Sequence, residues 1–321
     1  MSARSNVRQR RGFALLTALV MLVAVSLLAL ELGEVARARR LAAANALGRT
    51  AAAAAAEAGI EEAYARLADQ LRQAYLTQIR AGTAAENAWA AAARLRLGPT
   101  PLGAQWYEVT ARDVGTALNL NTVDGDGLRR FLRTFALSAD RADRITQSLL
   151  DWRDADDLRR PNGAEGAEYL RLGAPLLPAN TRLRSVAELR HVSGMSDDLY
   201  QRLLPYLTVD GSGRVNLNAA PAPVLLALPG MTDESVRLIM RWRNVGRRVA
   251  AIDALAPELM ALSQQRLTDA LPALRTRTTT ETRELLVTST AWSDDGATRV
   301  RAEALVVYDT ELRVTWRRTS P

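Results

Sequence analysis

The sequence predicts an α+β protein, in which a long N-terminal helix packs on an antiparallel sheet and a large all-α segment is inserted between the strands. Three observations carry this. A proline-free stretch from Glu31 to about Gln78 is dominated by alanine, leucine, arginine and glutamate, all strong helix formers. Segments rich in β-branched and aromatic residues lie on both sides of a block of short helices. Within that block a turn motif occurs twice, 36 residues apart (228 − 192).

The chain opens on four arginines, Arg4, Arg8, Arg10 and Arg11, followed by Gly12 and an uncharged run from Phe13 to Leu30. Eighteen helical residues span about 27 Å, close to the hydrocarbon thickness of a bilayer. Positive charge stays on the cytoplasmic side, so the remainder after Leu30 is expected outside. The apolar run continues without a break into the alanine-rich helix. There Leu41, Ala44, Leu47, Ala51 and Ala55, then Ile60, Tyr64, Leu67, Leu71 and Tyr75, recur at three- and four-residue steps. The helix is expected to end near Arg80 to Thr83.

Leu97 to Gly103 contains Gly-Pro-Thr-Pro and reads as a loop. Trp106 to Ala111 reads as a strand. Leu118 to Thr122 reads as a short strand whose asparagines cap the next helix. From Val123 to about Ala273, short helices alternate with Gly, Pro and Asp. Here Val192-Ser193-Gly194-Met195-Ser196-Asp197-Asp198 matches Leu228-Pro229-Gly230-Met231-Thr232-Asp233-Glu234, each a turn running into a helix N-cap. A second echo joins Leu118-Asn119-Leu120-Asn121 to Val215-Asn216-Leu217-Asn218. Strands return at Glu284 to Trp292, Thr298 to Tyr308 and Glu311 to Arg317. In the second of these, Val300, Ala302, Ala304, Val306 and Tyr308 alternate with Arg299, Arg301 and Glu303.

Composition narrows the chemistry. The chain has 321 residues, no cysteine and one histidine, His191, so disulfides are excluded and ordinary zinc sites with them. The net charge of +7 comes from arginines spread along the chain, which is no nucleic-acid footprint. Nothing supplies the pocket, base and oxyanion motif of an enzyme. The densest acidic patch is Asp151, Asp154, Asp156, Asp157, Glu165 and Glu168, six carboxylates in a Pro/Gly-containing loop. Such oxygens suit calcium or simply make a solvated turn, and the spacing is not that of an EF-hand. Asp124-Gly125-Asp126-Gly127 is a second acidic turn, read as a plain loop.

Basic residues and a glycine before an apolar run resemble the leader of the type IV pilin and pseudopilin superfamily. That resemblance implies cleavage by a prepilin peptidase between Gly12 and Phe13, with Phe13 then N-methylated. Most such pilins carry a glutamate five residues into the mature chain, where this chain has Thr17. A subunit with no neighbour ahead of it does not need that carboxylate, and the departure narrows the resemblance to the minor pseudopilin GspK family of type II secretion systems. The resemblance implies a pilin-like core and helix-hairpin-helix, SAM-like units in the insertion. It also implies calcium on Asp154, Asp156, Asp157 and Glu165, with Asp151 and Glu168 as further ligands. The partners it implies are the prepilin peptidase, the major pseudopilin, and minor pseudopilins of the GspH, GspI and GspJ types at the tip of an inner-membrane-anchored pseudopilus.

The expected organisation is a leader (1–12), a membrane segment (13–30), helix stem and first strands (31–122), the insertion (123–274) and the last strands (275–321). The rival reading is a membrane-anchored helix-hairpin-helix DNA-binding protein of the competence type, because Leu-Pro-Gly-Met before a helix resembles such modules. Acids at 197–198 and 233–234 oppose a phosphate there, and no nucleic acid is expected.

Overall fold

The computed structural model describes the backbone of residues 5–81, 92–309 and 311–320, with side chains described from Leu16 onward except at 75, 77–81, 256 and 258–268. Helix α1 (Ser5–Ala81) is one unbroken helix. It is about 115 Å long at 1.5 Å per residue. It contains the one helix, among the described residues, long and apolar enough to cross a membrane. Its side chains change environment along its length. Leu16 to Leu30 are exposed and apolar, and Leu41 and Leu47 are still bare, at 58% and 72%. From Ala52 on, one face is buried: Ala52, Ala55, Ala56, Ile60, Ala63 and Leu67. These positions sit at the three- and four-residue steps that align on one side of a helix. Gly59 marks a close approach to the sheet. A Cβ there would stand 2.3 Å from Ser289 Oγ and 2.9 Å from Tyr107 Cδ2.

The sheet contains β1 (Arg96–Leu102), β2 (Gln105–Asp113), β7 (Glu284–Ser293), β8 (Arg299–Tyr308) and β9 (Leu312–Ser320). They lie in the order β1-β2-β7-β8-β9, all antiparallel. Tyr107, Val109, Ala111, Leu285, Val287, Ala302, Ala304 and Val306 cover the face that meets α1. Three expectations change. The Gly-Pro-Thr-Pro stretch is not a loop but edge strand β1, where Pro99 and Pro101 are tolerated because an outer edge needs no ladder donor. Glu303 is buried where alternation put it in water, because Arg301 and Arg318 both close on its carboxylate. Leu118–Asn119 (β3) is a strand, yet it belongs to a separate ladder and not to this sheet.

Between β2 and β7 the chain builds a second core, with Phe131, Ile145, Leu149, Trp152, Leu203, Leu217 and Leu225 among its buried members. Its helices are α2 (Gly125–Arg133), α3 (Ala139–Arg153), α4 (Gly166–Arg171), α5 (Asp197–Leu203), α6 (Ala222–Leu226), α7 (Asp233–Asn244) and α8 (Ile252–Arg277). The insertion is not purely α. Parallel two-residue ladders join β3 to β4 (Leu207–Thr208) and β5 (Val215–Asn216) to β6 (Thr278–Thr279).

The asparagine echo explains both ladders. In the first copy Asn119 Oδ1 accepts from Asn121 N–H at 2.8 Å. Asn121 Nδ2 donates to Leu183 O and Val209 O, and its Oδ1 accepts from Leu183 N–H. In the second copy Asn216 Oδ1 accepts from Asn218 N–H at 3.0 Å. Asn218 Nδ2 donates to Val249 O and Thr280 O, and its Oδ1 accepts from Val249 N–H. Each asparagine pair therefore clamps distant loops to its own short strand. The asparagines do not cap the next helix, as the sequence suggested; Asp124 caps α2, with its Oδ1 accepting from Gly127 N–H at 2.6 Å. The acidic turn beginning there is thus the start of a helix.

The insertion meets the sheet at Asp113, the last residue of β2. Its carboxylate is buried and accepts from Gly115 N–H at 2.8 Å and from Asn216 Nδ2 and Thr282 Oγ1, each at 2.7 Å. Burial pushes this carboxyl above the usual carboxylate range, and the three donors pull it partly back. Because each clamp satisfies three partly buried backbone groups, Asn121→Ala and Asn218→Ala should each cost about 2–4 kcal/mol. Thermal melting of the detergent-solubilised protein should show a fall of at least about 5 °C for each. A fall under about 1 °C would show that the clamps carry no stability.

Candidate functional site

The acidic loop begins at the C-terminal end of α3. Trp152 is buried there and meets Tyr169 of α4 edge-to-face, with ring centroids 5.3 Å apart. This pair fixes the two ends of the loop against the second core. Burial pushes the Tyr169 hydroxyl up to about 12, and its oxygen accepts from Ser193 N–H at 2.9 Å. Arg153 turns the other way and donates to the carbonyls of Leu120 and Val123. The loop is thereby tied both to the first asparagine clamp and to the first repeated turn.

Within the loop, Asp151 is fully buried and accepts from the backbone N–H of Arg160 and from Arg160 Nη1 at 2.8 Å. The same guanidinium pairs with Asp154. Gly163 lets the chain pass over this pair, since a Cβ there would stand 2.0 Å from Asp151 Oδ2. Asn162, at φ +65°, makes the turn that brings Gly163 in. Asp156 accepts from Leu158 N–H, and Asp157 accepts from Asn180 Nδ2 at 2.7 Å. Glu168 accepts from Glu165 N–H at 3.1 Å and lies 3.7 Å from Arg159.

Glu165 is the outlier. It is only 3% exposed, and neither of its carboxylate oxygens has a hydrogen-bond partner. Its pKa is raised to about 7, first by burial and then by the negative charges of Asp151, Asp154, Asp157 and Asp156. Two more buried oxygens are unpartnered, Asp154 Oδ1 in this loop and Oδ1 of Asn180, a residue beyond α4 whose Nδ2 bonds to Asp157. A buried polar atom without a partner is costly, and these four oxygens, three in the loop and one on Asn180, are of the hard type that cations such as calcium bind. As placed, no group of three or more acids among the described residues forms a ready-made metal cluster, and Arg160 supplies the positive charge between Asp151 and Asp154.

The structure therefore divides the six sequence-chosen acids. Asp151 and Glu168 are already engaged in holding the loop, whereas Asp154 and Glu165 present unpartnered oxygens; Asp156 and Asp157 flank them with one further bond each. Sequence reasoning missed Arg160 and Asn180. Arg160 is one arginine among many, and Asn180 lies outside the acidic run, so no spacing rule marks either.

The other sequence-chosen positions are less informative. Gly12 and Phe13 lie in α1, with side chains outside the described residues, and Thr17 is an exposed residue of the same helix. At the repeated turns, Gly194 and Gly230 adopt φ +89° and +70°, as a left-handed turn requires. The helix starts beyond them are capped by Ser196 and Thr232. Asp197 pairs with Arg190, and Arg141 donates to Ser196 Oγ. Those helix ends are occupied by the chain's own groups, a poor seat for a nucleic-acid phosphate.

Residues 116–211, which span this loop and the first asparagine clamp, match the family described as type II secretion system protein K. A protein of that name from Pectobacterium carotovorum subsp. carotovorum is 39% identical over 123 residues, covering 36% of this chain and 37% of that one. One from Klebsiella pneumoniae is 35% identical over 126 residues, 34% of this chain and 38% of that one. The match thus spans little more than a third of those relatives' length. A chain in the crystal structure of the GspK-GspI-GspJ complex of the enterotoxigenic Escherichia coli type 2 secretion system has a similar fold. Its TM-score is 0.52 at 22% identity, over 70% of this chain and 84% of that chain.

The Glu165 proton gives a test independent of any partner. A carboxyl raised in the folded state contributes stability that is full below its unfolded pKa and lost as pH rises through the folded one. In chelator, the melting temperature should fall as pH goes from about 4.5 to above about 7, following the Glu165 shift. Glu165→Gln should flatten that slope. An equal slope in wild type and variant would contradict the assignment.

Proposed function

The chain belongs to the type II secretion system protein K family, and from that membership we propose that it is a minor pseudopilin at the tip of a pseudopilus. It assembles there with minor pseudopilins of the GspI, GspJ and GspH types, starts the filament on the major pseudopilin, and supports export across the outer membrane. Its work is mechanical and involves no catalysis. The observation that carries the reading is the continuity of α1. The same helix exposes an apolar segment from Leu16 to Leu30 and then buries Ala52 to Leu67 against the sheet. An apolar helix bare on all sides suits lipid and neighbouring helices, and its rigid extension ties the folded head to that anchor.

In this reading a prepilin peptidase cuts between Gly12 and Phe13, and the anchor sits in the inner membrane with the head in the periplasm. Thr17 stands where a carboxylate would engage a subunit ahead, which suits a position with none. The insertion, with its helix-hairpin-helix, SAM-like repeat, adds bulk that a regular shaft has no room for. Arginine pairs and self-capped helix ends within the repeat favour packing over DNA binding.

Calcium belongs to the same proposal. Asp154, Asp156, Asp157 and Glu165 would hold it, with Asn180 Oδ1 adjoining and Asp151 and Glu168 shaping the loop. The ion would neutralise the clustered carboxylates and fasten a loop that has no disulfide to fix it. Arg160 would give up its bond to Asp154 as the ion enters.

Two measurements test these statements. Co-expression with prepilin peptidase and the partner pseudopilins should give a defined complex in which this chain starts at Phe13. Recovery of an uncut Met1 chain, or of this chain alone, would contradict the tip reading. Calcium should raise the melting temperature, and Asp154→Ala with Asp156→Ala together should abolish the rise. A wild-type protein indifferent to calcium would remove the ion from the account.

A further inference from the structure

The two edges of the main sheet are guarded differently. β1 carries Pro99 and Pro101 and an irregular register between Leu97 and Thr100, devices that stop another strand from pairing there. β9 has no proline along Leu312–Ser320, and it has strand β8 on one side only. Its register slips once, opposite Leu305 and Val306, and the slip turns Trp316 onto the face away from α1. There Trp316 joins Leu305 and Val307 in a small apolar cluster outside both main cores, and Arg318 lies 4.6 Å from its ring centre.

A cleft of about 770 Å³ opens between this apolar strip and the insertion. Arg182 and Arg184 stand on the insertion side, both exposed and without an acidic partner among the described residues. The acids that reach the cleft are already engaged: Asp210 pairs with Arg318 at 3.4 Å, and Glu284 accepts from Ser212 N–H and Oγ. The cleft therefore presents an apolar floor, two uncompensated positive charges and an unpaired strand edge.

We propose that β9 and this cleft dock an extended segment of a partner polypeptide, which adds a further strand to the sheet. The segment pairs its main chain with β9. On the face turned to the cleft it presents both a large apolar side chain, set beside Trp316, and carboxylates that meet Arg182 and Arg184. Main-chain pairing gives such addition its strength, and alternate side chains give its selectivity. Charges across the rim steer the encounter. A basic or helical partner meets none of these features. The docking site is separate from the acidic loop and stands whether or not calcium binds there.

A photoreactive benzoylphenylalanine in place of Thr315, an exposed cleft-lining residue of β9, tests this in the full chain within secreting cells. The expected adduct maps by mass spectrometry to an acid-rich, extended segment of another protein. It should fall at least about tenfold in the R182E and R184E double variant, with the melting temperature unchanged. Should charge reversal lower that temperature, R182Q with R184Q replaces it, and a fall of about threefold is expected. The proposal is overturned by the absence of an adduct, or by one that survives these substitutions. It is overturned equally by an adduct to lipid, to a second copy of this chain, or to a helical or basic segment.

Discussion

Everything above the stem depends on one geometric constraint: a large insertion leaves and re-enters the sheet between two hydrogen-bonded neighbours. Asp113 ends β2 directly opposite Leu285 of β7, so the outgoing and returning strands are paired at the point of departure. A buried carboxylate at that point would be costly alone. Here Asn216 from inside the insertion and Thr282, two residues before the return strand β7, both donate to it. The junction thereby fixes three distant parts of the chain on one side chain. The same device, a short polar side chain spanning backbone strands, recurs at Asn121 and Asn218. The insertion is held by these repeated clamps and by its own apolar core, and it leans on the sheet through few elements.

The stem poses the opposite problem. Helix α1 packs on the sheet through alanines and Gly59, residues small enough to let backbone approach backbone, whereas its described apolar side chains from Leu16 to Leu47 are exposed. An exposed stripe such as Leu41 and Leu47 is unfavourable in water, and in the proposed assembly neighbouring stems would cover it. Local structure and proposed assembly thus agree: the half of the helix that lacks a core is the half that other subunits and lipid are expected to supply.

Much of this was legible in the residues. Periodicity gave α1 and strands β2, β7, β8 and β9, because a helix packed on one face and a half-buried sheet leave strong 3.6- and 2-residue patterns. What escaped has a physical reason in each case. β1 was hidden by prolines, which a local reading takes as a turn and an edge strand tolerates. Glu303 broke the alternation because arginines from two strands neutralise it, a tertiary fact. The asparagine echo was visible, but its use was not, since the loops that Asn121 clamps lie up to 88 residues away. At the acidic loop the carboxylates were evident from composition. The unpartnered state of Glu165 and the intrusion of Arg160 emerge only when the loop closes on α3.

The account stands or falls on where this chain sits in the assembled filament. Isolated pseudopili can be labelled with an antibody fragment raised against the inserted segment and imaged singly. The account predicts one label per filament, at one end. Labels distributed along the shaft, or intact filaments that bind none, would contradict it.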